Sequence, residues 1–161
     1  MDDIDQILSI TISGVRPGEH TMIKTLISEC GLTVEDITPE KLRHFLLARR
    51  GDEIVGVVGL EIAGKDALFR SLAVCEPHRR QGIGAKLTQA IERYALSQAV
   101  ETLYLLTMTA EVFFAGQGYE RTDRNLASAA MRATREFQCL CPATAVCLRK
   151  HLPRKTVSSA G

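Results

Sequence analysis

Apolar residues recur along the chain with two different periods, and each change of period marks a new element. Alternation of apolar and polar residues from Leu8 to Ile12 predicts a strand. Apolar residues at helical spacing from Ile23 to Cys30 then predict a helix, which Gly31 ends. The chain therefore opens with a strand followed by a helix.

The middle of the chain predicts three strands in succession. Thr38 and Pro39 suit the N-cap and the first residue of a short second helix. Residues 45–49, 53–62 and 67–74 then have the composition of strands, and two short turns that each contain a glycine join them.

Helices and strands alternate over the rest of the chain. A strand over 102–107, a helix and a strand near Tyr119, a helix over 126–137 and a last strand over 144–148 are predicted. Before them, one face of a helix is marked by Leu87, Ala90, Ile91, Tyr94 and Ala95. The order β-α-α-β-β-β-α-β-α-β, and then α-β, predicts the α/β class, with an α+β mixed sheet and helices on both of its faces.

Length and charge restrict the kind of protein that this chain can be. Its 161 residues suffice for one core, so we expect a single domain over 1–152 and a loose tail over 153–161. The 20 basic and 19 acidic residues leave a net charge of +1, which argues against a nucleic-acid surface or a polybasic membrane anchor. The start of the sequence lacks a leader pattern and no apolar stretch reaches about 18 residues, so we expect a cytoplasmic protein with no membrane partner.

The most informative segment runs from Arg79 to Ala85, between an apolar strand and the amphipathic helix. The first amides of a helix lack internal partners, and the helix dipole adds a partial positive charge, so an anion binds well there. Two adjacent arginines strengthen this field, and Gly82 and Gly84 keep Cβ atoms away from a bulky diphosphate. We therefore predict a pyrophosphate site, with a solvated basic turn as the alternative.

Two commoner phosphate loops do not fit this segment. A P-loop needs Gly-Lys-Ser/Thr after four spacer residues, and a dinucleotide fingerprint needs a third glycine where this chain has Leu87. The pattern Arg-x-x-Gly-x-Gly from Arg79, with Val74 five residues earlier, resembles instead the acetyl-CoA signature of the GNAT superfamily of N-acetyltransferases.

A second motif extends the resemblance. After the strand over 102–107, the segment Ala110–Tyr119 is similar to the family's Phe-Tyr-x-x-x-Gly-Phe segment, and the two motifs occur in the family's order. The resemblance covers roughly residues 4 to 150. It implies the GNAT acyl-CoA N-acyltransferase fold, acetyl-CoA as cosubstrate without a metal, and direct transfer of the acetyl group to the amine of a small molecule.

The resemblance also implies which residues contact acetyl-CoA. In the family, backbone amides of the strand before the loop bind the pantetheine arm, the loop binds the diphosphate, and a ring of the second motif packs against the arm. The residues carried over are Leu72, Ala73, Val74, Arg79, Arg80, Gln81, Gly82, Ile83, Gly84, Ala85 and Phe114.

Two positions depart from the family's pattern. Phe114 stands where the proton-donating tyrosine is expected, and Phe69 stands where related enzymes carry a glutamate base. In their place we predict Glu61, which register reasoning places diagonal to Arg70, as the base, and Thr107 as a residue that orders a water. A structural ion pair between strands is the alternative for Glu61 and Arg70.

Other hydroxyl and imidazole groups are secondary candidates. Tyr94, Tyr104 and Tyr119 carry hydroxyls, but Tyr94 falls on the core face of its helix and Tyr119 takes the family's phenylalanine position, so we expect both to pack. His44 is a third candidate base, with a solvated histidine before a strand as its alternative.

The C-terminal third resembles a branch of the family associated with arsenic resistance, related to the acetyltransferases that inactivate phosphinothricin and arsinothricin. The similar segments are residues 103–110, 131–137 and 140–146. This resemblance implies an amino-acid-like amine that carries an anionic arsenic or phosphorus group. The predicted substrate-binding residues are Arg70, Ser71, Arg132 and Arg135. A solvated helix face is the alternative for Arg132 and Arg135.

The cysteines offer a separate hypothesis. An odd number of them, without a secretion pattern, favours reduced thiols over a disulfide framework. Cys139, Cys141 and Cys147 would supply three thiolates to a soft metal, and three buried apolar residues are the alternative.

Three functions remain open from the sequence. The first is an acetyl-CoA-dependent N-acetyltransferase of a small amine. The second is a sensor or regulatory protein that binds acetyl-CoA without turnover, which the missing tyrosine and glutamate favour. The third is an acetyltransferase of protein N-termini or lysines, and a homodimer is compatible with each of them.

Overall fold

The computed structural model describes residues 9–140 and 144–153, except for the side chains at 139 and 140. Seven strands form one sheet in the order β1-β2-β3-β4-β5-β7-β6. The pairing of β4 with β5 is parallel, whereas β1–β2, β2–β3, β5–β7 and β6–β7 are antiparallel. The strands are β1 Thr11–Gly14, β2 Phe45–Arg50, β3 Glu53–Ala63, β4 Asp66–Val74, β5 Thr102–Thr107, β6 Glu120–Arg121 and β7 Val146–His151.

Helices of different length connect these strands. Single 3₁₀ turns occupy Lys41–His44, Glu76–His78 and Arg124–Leu126, and a π-helical turn occupies Glu136–Leu140. The α-helices are α1 His20–Glu29, α2 Ile83–Ser97, α3 Glu111–Gly116 and α4 Ala129–Arg132. The α/β class with a mixed sheet, predicted from the order of elements, is confirmed.

The single helix predicted over residues 126–137 is wrong. Three short helical turns replace it, and side chains that bond to the backbone explain the interruptions. Asp123 accepts a hydrogen bond from the Asn125 amide at 2.8 Å and caps one turn, and Ser128 accepts one from the Met131 amide at 3.2 Å and starts the next. Met131 is consequently the buried residue, and Leu126 is exposed.

Other boundaries differ by a few residues. The N-cap predicted at Thr38 is wrong, because the short second helix is one 3₁₀ turn, Lys41–His44, with Glu40 as its N-cap. Thr38 Oγ1 accepts a hydrogen bond from the Lys41 amide at 3.3 Å just before that turn. The last strand begins at Val146 and runs on to His151. The first strand begins at Thr11, and the predicted start at Leu8 lies outside the described residues.

Contacts divide the chain into two compact units. The first unit is built from the chain up to Glu61 and from Arg70–Ile91, and the second from Ile62–Phe69 and from Glu92 onward. In the second unit, Leu68, Tyr104, Met131 and Phe137 share one buried cluster with Cys147. No helix in the described part of the chain is long and apolar enough to cross a membrane.

In the first unit, helices cover both faces of β3. The apolar face of α1, which includes Ile23 and Ile27, packs in one cluster with Val57 of β3. Neighbouring residues of a strand point to opposite faces, and at Gly56 a Cβ atom would lie only 3.0 Å from Leu87 Cδ1 of α2. The two helices therefore approach β3 from opposite sides, α2 through a position that has no side chain.

A second glycine of β3 accommodates an aromatic ring. Gly59 pairs with Phe45 of β2, and the buried ring lies directly over it. A Cβ atom at Gly59 would fall 2.3 Å from Phe45 Cζ and 2.5 Å from both Cε atoms. This distance is far inside van der Waals contact, so only glycine fits while the ring stays where it is.

A buried ion pair connects β2 to the start of α1. The Arg49 guanidinium, which is almost fully buried, donates to both carboxylate oxygens of Glu19 at 2.6 and 2.9 Å. It also donates to Ser13 Oγ and to the Gly14 carbonyl, both at 2.9 Å. Hydrogen bonds from Arg49 lower the pKa of Glu19 to about 2, although burial opposes this shift.

We predict that Gly59→Ala destabilises the protein by about 1–3 kcal/mol, because the added methyl group must displace the Phe45 ring. Gly14→Ala is the matched control, since no atom lies within 4 Å of the position that a Cβ would take at that strand glycine. Urea unfolding measures both variants. Equal stability of the two variants would contradict the close approach of the ring.

The Arg49–Glu19 pair should make stability depend on acid pH. A carboxyl group whose pKa is lowered in the folded state contributes stability above its ordinary value of 4.5, and this contribution is lost as the pH falls toward 2. We expect Glu19→Gln to cost about 2–3 kcal/mol at pH 7 and progressively less below pH 4.5. Urea unfolding of both proteins across this range checks the effect, and a pH-independent difference would rule out the charge as its cause.

Candidate functional site

The segment between β4 and α2 folds into an unusual backbone path. After the 3₁₀ turn Glu76–His78, Arg80 has a φ of 65° and Gly82 a φ of 79°, both in the left-handed region. Such a conformation costs an arginine on the order of 1 kcal/mol, so the surrounding structure has to impose it. Glycine adopts it freely, which accounts for the residue type at position 82.

The start of α2 has amides that the helix itself does not use. The amide of Lys86 donates to the Gly82 carbonyl at 3.1 Å, which makes Gly82 the N-cap. The amides of the three following residues have no intrahelical acceptor by helix geometry, and the helix is long enough to carry a substantial dipole. Nothing lies within 4 Å of the Cβ position at Gly82, so this end of the helix has open space for an anion.

The two arginines of the loop have different surroundings. Arg79 turns back and donates from Nε to the Val74 carbonyl at 2.9 Å, at the end of β4. Gln81, the next residue after Arg80, is held by β2, because its Oε1 accepts a hydrogen bond from Arg50 at 2.9 Å. Arg80 is exposed and forms no hydrogen bond or ion pair with a described residue. The cation of Arg80 is therefore turned to solvent beside the helix end.

Strand β4 runs on to Val74, but one residue near its end has an unusual backbone conformation. Ser71 is buried and has a φ of 62°, which is strained for a serine in a strand. The parallel ladder with β5 pairs Asp66–Leu68 with Thr102–Tyr104 and ends before this residue. Residues 72–74 lie beyond the paired residues of this ladder.

Four charged side chains of the first unit form a closed ring. Arg70 donates to both oxygens of Asp36, at 2.5 and 2.7 Å, and to Glu61 Oε2 at 3.3 Å. The ammonium group of Lys41 lies 3.2 Å from Asp36 Oδ2 and 3.5 Å from Glu61 Oε1. The side chains of Arg70 and Asp36 are 0% and 1% exposed, whereas those of Glu61 and Lys41 are 23% and 29% exposed.

This ring brings together two of the residues predicted from the sequence. Glu61 and Arg70 do contact each other, but the main partner of Arg70 is Asp36, thirty-four positions away in the chain. Burial opposes ionisation of Asp36, yet hydrogen bonds and charges from Arg70 and Lys41 lower its pKa to about 2. Sequence reasoning missed Asp36 and Lys41, because no local pattern links them to β3 or β4.

The aromatic residues of the second unit form a packed cluster. Phe69, Phe114 and Tyr119 meet edge to face, with ring centroids 5.2 to 6.0 Å apart. The hydroxyl of Tyr119 donates to Glu92 at 2.9 Å, and burial is the first cause that raises the pKa of Tyr119. Tyr119 is buried and its hydroxyl is engaged, as expected of a packing residue.

The remaining candidates have local partners. Thr107 Oγ1 accepts a hydrogen bond from the Ala110 amide at 3.0 Å, at the start of α3. Arg132, the last residue of α4, donates to the Ala127 carbonyl at 3.2 Å. Arg135 is exposed and lies after α4, so the two arginines do not share one continuous helix. Burial lowers the pKa of His44, the third candidate base.

The predicted soft-metal site is only partly covered by the structure. Cys141 and the side chain of Cys139 lie outside the described residues. Cys147 is buried, and burial raises its pKa to about 11, which disfavours the thiolate that a metal requires. Across residues 9–140 and 144–153, no three His, Cys, Asp or Glu side chains form a group that could hold a metal ion.

Comparison with known proteins places this geometry among acetyltransferases. Residues 41–121 match the family described as the acetyltransferase (GNAT) domain. An uncharacterized N-acetyltransferase of Chlorobaculum tepidum is 31% identical over 108 residues, which are 66% of this chain and 64% of that protein. The chain thus covers slightly less than two thirds of that relative's length.

Solved structures share the fold, among them two that contain coenzyme A. N-acetylglutamate synthase from Neisseria gonorrhoeae, complexed with coenzyme A and N-acetyl-glutamate, superposes with a TM-score of 0.78 at 18% identity, over 91% of this chain and 36% of that one. A Mycobacterium tuberculosis protein in complex with CoA gives 0.75 at 19% identity, over 89% of this chain and 99% of that one. At these identities the comparison establishes the fold alone.

We predict that Gly82→Val weakens CoA binding at least about tenfold, because a β-branched residue cannot keep a φ of 79° and will turn the helix-end amides away. Gly64→Val is the matched control: Gly64 also has a positive φ, 68°, and open space around it, but lies in the β3–β4 turn. Calorimetric titration with CoA measures both. Equal losses in the two variants would assign the effect to general strain.

Proposed function

Since the chain belongs to the GNAT acetyltransferase family, we propose that it transfers an acetyl group from acetyl-CoA to the amine of a small substrate. The observation that carries the proposal is the start of α2. There the Gly82 cap, the unused amides and the exposed Arg80 offer a binding site for the CoA diphosphate. Residues 72–74 supply strand backbone for the pantetheine arm.

The proposed chemistry is direct attack. The amine nitrogen forms a bond to the acetyl carbon, the carbon–sulfur bond breaks, and CoA leaves as a thiolate. Glu61 accepts the amine proton, because its carboxylate is partly exposed while its ring neighbour Asp36 is fully buried. No acid is assigned to sulfur: Phe114 has no hydroxyl and that of Tyr119 donates to Glu92. A thiol pKa of about 8.5 makes the unaided thiolate an acceptable leaving group.

We propose an amino acid or an amino-acid analogue as the acceptor. The Neisseria gonorrhoeae synthase that shares the fold holds N-acetyl-glutamate, which supports an amino-acid amine. The resemblance of the C-terminal third to the arsenic-resistance branch supports analogues with an anionic arsenic or phosphorus group. A cytoplasmic location and a homodimer remain predictions, and sedimentation analysis tests the homodimer.

A second candidate function is an acetyl-CoA-binding regulatory protein without turnover. The observation that favours it is the absence of a free hydroxyl at Phe114 and Tyr119, the pair that would otherwise protonate the leaving sulfur. Transfer of the acetyl group to protein N-termini or lysines is a third outcome.

One experiment separates these functions. Thermal shift with CoA is followed by thiol release from acetyl-CoA in the presence of glutamate, other amino acids, phosphinothricin, arsinothricin or a peptide. We expect stabilisation by CoA and thiol release with an amino-acid-like amine. Binding without release for every amine would establish the regulatory protein, and no binding would overturn the proposal altogether.

The role of Glu61 is tested with the active acceptor. We expect Glu61→Gln to lower kcat/KM by about 10²–10⁴ fold, with the largest loss below the pKa of the amine, where a proton must be removed. Glu101→Gln is the control, because Glu101 forms an exposed ion pair with Lys65. A loss that does not vary with pH would identify Glu61 as a structural residue.

A further inference from the structure

The charged ring has an inner and an outer half. Arg70 and Asp36 form the buried half, and Glu61 and Lys41 form the half that solvent reaches. Charges alternate around the ring, so each carboxylate has two cationic neighbours and each cation has two carboxylates. The ring is neutral as a whole, which allows four charges to stay together at low solvent exposure.

Arg70 is shared unequally between its two carboxylates. Its contacts with Asp36 are bidentate, at 2.5 and 2.7 Å, whereas its contact with Glu61 is single and 3.3 Å long. A bidentate guanidinium–carboxylate pair is much stronger than one long hydrogen bond. Asp36 therefore competes with Glu61 for the same cation and takes the larger share.

This competition matters for a base. A carboxylate that is fully paired with a buried guanidinium has little affinity for a proton, and its lone pairs are occupied. A carboxylate held by longer contacts keeps its orientation and still has lone pairs available for a proton. Arg70 directly precedes the strained Ser71 and stands two residues before the strand backbone proposed to bind the pantetheine arm.

Resting on the proposed acetyl transfer, we propose that Asp36 is a positioning residue for Glu61: by holding Arg70 in a bidentate pair, it keeps Glu61 oriented yet basic enough to take the amine proton. Asp36 acts through Arg70 and does not touch the substrate. The charged groups that face Glu61 in the ring are Arg70 from β4 and Lys41 from the 3₁₀ turn, with Asp36 behind both.

The electrostatic part is tested without turnover. Carbon-detected NMR follows the side-chain carboxyl resonance of Glu61 across pH, assigned by its loss in Glu61→Gln. In Asp36→Asn, loss of a like charge and a closer Arg70 both favour the anion, so we expect the titration midpoint to move to lower pH. In Lys41→Gln, loss of a cation at 3.5 Å moves it up.

Glu19→Gln is the matched control for Asp36→Asn. It removes the negative charge from the other buried bidentate pair of the same unit, which has no second carboxylate among its hydrogen-bond partners. We expect it to lower stability and leave the Glu61 midpoint in place. Lys41 is partly exposed, so Lys41→Gln folds even where Asp36→Asn does not, and an unmoved midpoint there would overturn the ring's control of Glu61.

The catalytic part is tested with the active acceptor. In Asp36→Asn the acid limb of the kcat/KM profile should move to lower pH, and the plateau should fall about tenfold because the base is weaker. When Glu61→Gln is already present, Asp36→Asn should lower kcat/KM by less than about twofold more, because Asp36 acts through the Glu61 carboxylate that is then missing. Additive losses, or a plateau that falls without a moved limb, would overturn the proposal.

The two levels fail in different ways. If no amine releases thiol with the wild-type protein, the proposed function fails, while the NMR midpoints still show whether Asp36 sets the proton affinity of Glu61. If the wild type turns over and the midpoints do not respond, the acetyl transfer stands and Asp36 is a structural residue only.

Discussion

Two arginines among the described residues of the first unit, Arg49 and Arg70, are buried, and each must be neutralised by a carboxylate. This requirement determines which acidic residues lie beside them. Neither guanidinium can remain unpaired in an apolar environment, because the cost of an isolated buried charge exceeds the stability of a domain of this size. Arg49 draws in Glu19 and so fixes the chain that enters α1. Arg70 draws in Asp36, and with it the loop that precedes the 3₁₀ turn and Lys41. The positions of non-local acidic groups thus follow from burial of the cations.

Strand β4, which contains Arg70, also leads into the loop that is proposed to bind the ligand. Strand β4 is anchored at Arg70, is strained at Ser71 and leads into a loop with two left-handed residues before α2. Rigid anchoring on one side allows strained backbone to persist on the other, because the surrounding contacts over-determine it. Arg70, which pairs with the base candidate Glu61, and the helix end proposed to bind an anion thus lie in consecutive parts of one chain segment.

Much of this arrangement was predictable from local sequence. The hairpin strands and the strand over Thr102–Thr107 follow from alternation and turn residues, and the helix end follows from its glycines and arginines. The helix over 126–137 was mispredicted because Asp123 and Ser128 cap short turns there, which periodicity does not register. Asp36 was not predicted because its partner, Arg70, lies far along the chain. The folded structure is needed to show which acidic residue pairs with a buried arginine.

The stacking of Phe45 on Gly59 has a consequence for how this hairpin can diverge among relatives. A side chain at the glycine has to displace the ring of Phe45, whereas the ring can be exchanged for a smaller group at the expense of a void. Substitution at the two positions should therefore follow one order. The aromatic residue has to be replaced first, and only then can the glycine on the neighbouring strand be replaced by a larger residue. Homologues with a large aromatic residue at the position of Phe45 should therefore have glycine at the position of Gly59. No homologue should have a bulky residue at both positions.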